Sequence, residues 1–467
     1  MRSGFRLALV SMISLPVGAV YAGPPAYTIE DAVRLAQAQN TEIAIARKKL
    51  EATHGGVIEA RAGYLPSVVS SGLYRKREQV ANSRLRPDDY NASVRVVQNV
   101  YTGGATHAQL SIARLLSEKQ QYDLQAVIDR VTMDVRTTFY ELLLNREKIH
   151  VREQSVAVLQ QELKSQRERL SAGTVGELNV RRAEVSLANE EPELIQAQTD
   201  LRNSHLKLSE LFGVDWRASP ENAQFETVGR LEYEPRHPDL NESLGRAAAN
   251  RAEIRSAEID VAIEEQQLTL DRSATRPRVE FFTGYEVYNE RDPTLGREFN
   301  HGYVIGLNGS WPLFDGYATR GRMEATRARR DAAVRALEAI KLTVASEVRS
   351  AFLDLQQADR VLEAQTKNLQ TADESLEISK GNLAAGLGTQ LDILQAASDV
   401  TRTRTTRLSA IYLHNAALVR LDRACGGDPE TLAFQQKVLR ASDQNSEKAR
   451  GQIFQLARPP SALPKRK

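Results

Sequence analysis

Cysteine is almost missing from this chain. A single one in 467 residues, Cys425, excludes an intramolecular disulfide, a cysteine-based zinc cluster and a CxxC redox pair. Net charge is almost missing too. The 62 Lys+Arg stand against 60 Asp+Glu, and residues 1–22 contribute Arg2 and Arg6 without an acid, so the remainder balances. Balanced charge gives no general pull toward nucleic acid. Aromatics are 6%, and past the N-terminus no apolar run approaches the roughly 18 residues of a spanning helix. A membrane-spanning β-strand is not excluded, because its signal is short and weak. Catalytic signatures are missing as well. His54, His107, His150, His205, His237, His301 and His414 show no ligand spacing, and each reads as a surface or packing residue. Gly103-Gly104 lacks the GK[ST] of a phosphate loop, and neither GxSxG nor HExxH occurs. The expectation is a protein without metal, cofactor or enzymatic activity.

What is present begins with a leader. Met1–Ala22 has a basic start, an apolar stretch over Leu7–Val20 and the small-residue cleavage site Val20-Tyr21-Ala22, which together read as a secretory signal. It holds no cysteine, so a lipid-modified mature N-terminus is not expected.

Beyond the leader the chain reads as one unit written twice. A shift of 213 places Val135-Arg136-Thr137-Thr138-Phe139-Tyr140-Glu141-Leu142 on Val348-Arg349-Ser350-Ala351-Phe352-Leu353-Asp354-Leu355, and Gly173 on Gly386. A shift of 211 places Leu65-Pro66 on Arg276-Pro277. The expected layout is a first repeat over 23–213, a linker over 214–238 containing three prolines, a second repeat over 239–426, and a polar tail over 427–467. The tail reads as a short helix, Glu430–Arg440, and a disordered end.

Each repeat predicts a helix of about 35 residues (Ile29–Arg61; Leu240–Ser273), two strands, a very long helix, a glycine turn and a returning helix. Ala105–Leu170 and Arg322–Lys380 contain no Gly or Pro. At about 1.5 Å per residue the first spans roughly 100 Å, which no compact domain needs. Val135, Leu142, Ile149, Val156 and Leu163 recur every seven residues, as do Val348, Leu355, Leu362, Leu369 and Leu376. A strict seven-residue repeat predicts coiled-coil packing. The returning helices carry Val180, Leu187, Leu194, Leu201 and Leu208 in the first repeat. In the second the series Ile393, Val400, Arg407, His414, Leu421 is interrupted.

The strands alternate. Tyr90, Ala92, Val94, Val96 and Val100 share a face against Asn91, Ser93, Arg95 and Asn99; Tyr303, Ile305, Leu307, Trp311 and Leu313 share one against Gly306, Asn308 and Ser310. Preceding strands are Ser67–Arg77 and Val279–Tyr288, joined through turns at Glu78–Asp89 and Asn289–Asn300, where Asp88, Asp89 and Asp292 read as solvated loop residues. Such alternation fits a half-buried strand or a lipid-facing barrel strand. Four strands cannot close a barrel; three chains giving four each would make twelve.

Signal, duplication, paired strands and enormous helical hairpins together resemble the TolC-like outer membrane channel (outer membrane efflux protein) family, over nearly all of 27–426. Ala172-Gly173-Thr174-Val175-Gly176-Glu177-Leu178-Asn179-Val180 and Ala385-Gly386-Leu387-Gly388-Thr389-Gln390-Leu391-Asp392-Ile393-Leu394 are similar to its hairpin turns. Tyr101-Thr102-Gly103-Gly104 and Phe314-Asp315-Gly316-Tyr317 are similar to its barrel-to-tunnel junctions. The resemblance implies a mostly α, α+β fold in which coiled-coil hairpins form an α-barrel tunnel and a homotrimer builds a 12-stranded outer-membrane β-barrel in lipid. It implies a periplasmic adaptor (membrane fusion) protein and an inner-membrane ABC or RND-type transporter as partners. The cargo would be an exported protein, by type I secretion, or small molecules, by drug efflux. It also implies a periplasmic mouth narrowed by aspartate rings: Asp392 matches the first, Gln395 stands in place of the second, and Gly388 replaces a tip arginine. Asp392 equally suits a solvated carboxylate in the first turn of its helix, where the dipole favours it. Adaptor docking is expected at Gly173, Thr174, Val175, Gly386, Leu387 and Gly388, with Val175 and Leu387 exposed. A contact that merely caps the hairpin is the other reading of those two. A periplasmic coiled-coil adaptor or rod without a pore is the alternative function; it leaves the alternating strands unexplained.

Overall fold

The computed structural model describes residues 26–76, 87–214, 225–289 and 299–427. The leader, Asp292 and the expected tail helix Glu430–Arg440 lie outside the described residues, as do most of the two strand-connecting turns. The first repeat runs β1 (Ala26–Tyr27), α1 (Ile29–Gln39), α2 (Thr41–Ala62), β2 (Ser67–Lys76), β3 (Asp88–Tyr101), α3 (Ala105–Ser171) and α4 (Glu177–Leu211). The second runs β4 (Glu226–Thr227), α5 (Leu240–Asn250), α6 (Ala252–Ser273), β5 (Arg278–Asn289), β6 (Phe299–Ser310), α7 (Ala318–Ala384) and α8 (Gln390–Ala424). Helix lengths match pairwise: 11, 22, 67 and 35 residues in each half. The seven-residue stripes of α3 and α7 thus run uninterrupted for the full length the sequence suggested. α7 passes through Gly321 and Gly381 at its two ends and so exceeds the expected Arg322–Lys380.

The first helix of each repeat is a correction to the expectation of one continuous element. It breaks in two at Asn40 and at Arg251, where ψ opens to 132° and 119°. Asn40 works as an internal N-cap. Its Oδ1 accepts from Glu42 N at 2.9 Å and Ile43 N at 3.2 Å, while its Nδ2 donates to Leu211 O at 2.8 Å. Arg251 holds the equivalent kink differently, donating Nη1 to Arg423 O at 3.1 Å. Asn40 is a recognisable cap in sequence; an arginine in that place is not.

Helix packing concentrates at mid-length. Val135, Phe139 and Leu142 of α3 cluster with Ala32 and Ala36 of α1, Leu208 of α4 and Phe212 at its end, and Ile411 of α8. Val344, Val348 and Leu355 of α7 meet Ala417 and Leu421 of α8 in a second cluster that includes Cys425. Burial pushes the Cys425 thiol up, so it sits there as a neutral packing group. Near the first hairpin tip the core thins to Leu163, Val180 and Ala183. The segment expected as a linker is partly packed: β4 pairs in parallel with β1, Phe225 and Leu231 are buried, and Arg146 Nη1 donates to Thr227 O at 2.8 Å. The interrupting residues of α8 also find places. His414 is fully buried, with Nε2 at 2.9 Å from Glu234 O and Nδ1 at 2.7 Å from Asp359 Oδ1. Arg407 reaches Thr366 Oγ1 at 3.4 Å.

The four longer strands form one antiparallel sheet in the order β2-β3-β5-β6. Two boundaries differ from the sequence expectation. Asp88 and Asp89 belong to β3 and are not loop residues; Arg75 Nε meets Asp89 Oδ2 at 2.5 Å, and Asn289 Nδ2 donates to Asp88 O at 2.7 Å. β6 ends at Ser310, so Trp311 and Leu313 lie beyond it in the junction. Among the described residues β2 and β6 are unpaired edges and the sheet does not close, and three copies would supply twelve strands.

Candidate functional site

The sheet is inverted relative to a water-soluble one. Register places Val68, Val94 and Val96, Phe281, and Ile305 and Leu307 on one face. Among these Leu307 is 69% exposed, and Tyr303 beside them 92%. The opposite face mixes polar side chains with Val69, Leu73 and Phe282, and on it Ser93 is 4% accessible and shares a 2.8 Å hydrogen bond with Ser71 Oγ. A solvated sheet hides its apolar face; one in lipid displays it. The apolar face is also graded along the strands. Tyr74 stacks on Tyr90 at 4.9 Å near the turn ends of β2 and β3, and Tyr285 meets Tyr303 edge-on at 5.1 Å nearer mid-strand, with Val96, Ile305 and Leu307 between them and the helices. At the helical end Trp311, Phe314 and Tyr317 are exposed, and Trp311 Nε1 donates to Thr275 O at 3.1 Å. Aromatic girdles flanking an aliphatic band are what two membrane–water interfaces select. No described helix is long and apolar enough to cross a membrane.

The junctions turn the chain from strand to helix. Gly103 and Gly104 have φ 66° and 96°; at the equivalent positions Gly316 and Tyr317 have φ 65° and 66°. A Cβ on Gly103 would lie 2.7 Å from Arg276 Cβ, so this position needs glycine for space as well as for φ. Arg276 Nη1 donates to Gly103 O at 3.0 Å, tying the two repeats together. Asp315 caps α7: its Oδ2 accepts from Thr319 N at 2.9 Å, and this hydrogen bonding to Thr319 holds its carboxyl below the usual range.

Both hairpin tips close by the same device. Gly173 (φ 71°) and Gly386 (φ 74°) take the left-handed conformation after α3 and α7. Thr174 N then reaches Arg169 O at 2.9 Å, and Leu387 N reaches Asn382 O at 2.8 Å. Leu387 is 82% exposed as expected, whereas Val175 is half-buried. Gly388 is cramped, because a Cβ there would come within 3.1 Å of Asn382 Cβ. The two returning helices start differently. α4 has no side-chain cap at Gly176, while α8 has a capping box. In that box Asp392 Oδ2 accepts from Thr389 N and from Thr389 Oγ1, both at 2.8 Å. The backbone N–H and then the hydroxyl of Thr389 hold the Asp392 carboxyl below its ordinary value, so it is an exposed, fixed anion at the tip. Gln395 Nε2 points one turn on toward Asp399 Oδ1 at 3.4 Å, so its amide is turned along α8 and away from the Thr389–Asp392 pair.

One tip contact had no sequence signal. Gln390, at the first position of α8, donates to Glu162 Oε1 on α3, which also accepts from Gln166 Nε2 at 2.7 Å. This carboxylate joins the two hairpins near their ends. Above it lies a groove of about 610 Å³ between the hairpins, lined in part by Leu159, Leu391, Leu394 and Arg404. Among the described residues no group of His, Cys, Asp and Glu could hold a metal ion.

Residues 32–214 and 243–427 match the family described as Outer membrane efflux protein. The chain is 24% identical over 407 residues to the cobalt-zinc-cadmium resistance protein CzcC of Cupriavidus metallidurans, covering 87% of this chain and 91% of that protein. It is 25% identical over 410 residues to Protein CyaE of Bordetella pertussis, covering 86% and 85%. Among solved structures the outer-membrane channel OprN aligns with a TM-score of 0.74 at 18% identity, covering 86% of this chain and 90% of that one; this likeness shows the fold.

Proposed function

The chain belongs to the outer membrane efflux protein family, and from that premise we propose that three copies form a passive exit duct through the outer membrane and periplasm. Each copy contributes β2, β3, β5 and β6 to a twelve-stranded barrel and its two hairpins to the tunnel below. The observation that carries this reading is the inverted sheet: an apolar face exposed along four strands, a face holding Ser71, Ser93, Arg95 and Glu286 behind it, and two edges left unpaired among the described residues. A periplasmic rod has no use for such a sheet.

An inner-membrane transporter and a periplasmic adaptor supply energy and coupling, with the adaptor docking at Gly173–Val175 and Gly386–Gly388. The cargo, an exported protein or a small molecule, is chosen by the transporter, since a duct wall is not a binding pocket. Support for the docking surface is the exposed Leu387. At the mouth, three copies of Asp392 converge as one acidic ring that favours cations; support for this role is its exposed, fixed charge.

Planar-bilayer recording on trimer extracted from outer membrane tests both parts. The wild type should fractionate with the outer membrane and give discrete conductance steps. Asp392→Ala should alter conductance and cation preference, and Asp392→Asn, which keeps a capping acceptor but no charge, should do the same. Unchanged selectivity in both variants removes the ring from the mouth. A verified trimer that washes off with salt and never conducts is a rod.

A further inference from the structure

The sheet face that carries Ser93 and Arg95 holds an arrangement that the duct reading does not by itself require. On β3, Arg95 faces Gly284 of β5 in register, and Gly284 faces Val304 of β6. The Arg95 side chain does not stand away from the sheet as a strand side chain ordinarily does. It lies along the wall. Its Nη2 meets Glu286 Oε2 at 2.9 Å on one side of Gly284, and its Cζ sits 5.6 Å from the Phe282 ring centre on the other. Gly284 lets the β3 main chain and Arg95 lie close together: a Cβ there would lie 2.2 Å from Val94 O, 2.8 Å from Arg95 Cα and 2.9 Å from Arg95 Cγ. Gly306 does the same for Phe282, where a Cβ would lie 2.6 Å from Cζ of the ring. Neither glycine has a positive φ, so space and not backbone conformation is what each supplies.

Resting on the duct reading, in which this face lines the bore, we propose that Arg95, Glu286 and Phe282, laid flat over Gly284 and Gly306, form a charge-cancelled collar that keeps the barrel wide and without ion preference. Three guanidiniums cancel three carboxylates at one height. The collar is a specificity determinant by subtraction: charge selection is left to the periplasmic mouth, and the barrel passes cargo of either sign.

The test reads local potential, so it does not depend on the mouth. Cys425 is buried, so a single reporter thiol can be introduced by Val304→Cys, at the height of Arg95. Conducting trimers are treated from the outer side with cationic and anionic methanethiosulfonates in 10 mM salt. With the pair intact, the two reagents should react at the ratio they show on a free thiol. Glu286→Gln should shift the ratio toward the anionic reagent by about threefold or more, and Arg95→Gln toward the cationic one by a similar factor. An unchanged ratio in both variants, or a reporter thiol that neither reagent reaches in a conducting trimer, overturns the collar while leaving the duct intact. A wild-type trimer that does not conduct sinks the duct reading and the collar with it.

Discussion

Arg251 offers the sharpest test of how the α5–α6 kink is held against α7 and α8. Its side chain is 4% exposed at the kink between α5 and α6. Nε lies 3.1 Å from Glu253 Oε2, Nη2 lies 2.6 Å from Glu347 Oε2, and Nη1 donates to the Arg423 carbonyl. Arg423 closes the square, with Nη1 3.2 Å from Glu347 and Nη2 3.2 Å from Glu253. Removing one partner from a buried ion pair costs about 3–5 kcal/mol, because a charge is left unpaired. Here Arg423 still faces both carboxylates, and each glutamate side chain remains about one-third exposed, so screening lowers the cost of Arg251→Ala to about 2–3 kcal/mol. The loss should be local, since α5 is joined to the rest mainly through α7. Hydrogen exchange of amides 247–256 in the detergent-extracted trimer reads it directly, and exchange there should quicken by about 30- to 160-fold. Arg255→Ala, which removes an exposed pair with Glu258 four-tenths open to solvent, should change the same amides by less than about threefold. If Arg251→Ala also stays within threefold, the four charges are decoration and the kink is held by backbone geometry alone.

Leu307→Arg, on the lipid-facing side of β6, should cost about 2–4 kcal/mol near the bilayer midplane and reduce the fraction of heat-resistant trimer on electrophoresis; undiminished heat resistance would turn the sheet around. His205 is packed edge-on against Phe225, and burial pushes its imidazole below the ordinary value. The unfolded chain therefore takes up a proton at this residue that the folded chain refuses, so this contribution to stability is whole above about pH 6.5 and shrinks as pH falls below it. Thermal unfolding of the wild type should weaken from pH 7 to 5 by more than that of His205→Phe, and parallel pH profiles would remove His205 as the cause.

Legibility in the sequence followed the range of each interaction. The long helices were readable because a seven-residue stripe and the lack of Gly and Pro are local properties that persist over sixty residues. The hairpin turns were readable because Gly173 and Gly386 are the residues a left-handed terminus demands. Strand faces were readable as alternation, but not as inside or outside, since period two is the same for a water-facing and a lipid-facing sheet. Continuous helical patterning on both sides hid the kink at Arg251 and masked the one cap residue, Asn40, that marks the equivalent kink in the first repeat. Asp392 was legible as a residue of interest, yet its bond to Thr389 shows that the same carboxylate serves the helix start.

The sequence by itself determined the duplication, the element order and the great length of the hairpins, because each is written in spacing along the chain. Only the tertiary structure decided which face of the sheet is exposed, that Glu162 joins the hairpins, and that Arg95 lies flat over Gly284. The last two depend on residues 189 to 228 positions apart meeting across strands and helices. No local period carries that information; it exists once the two repeats are laid side by side.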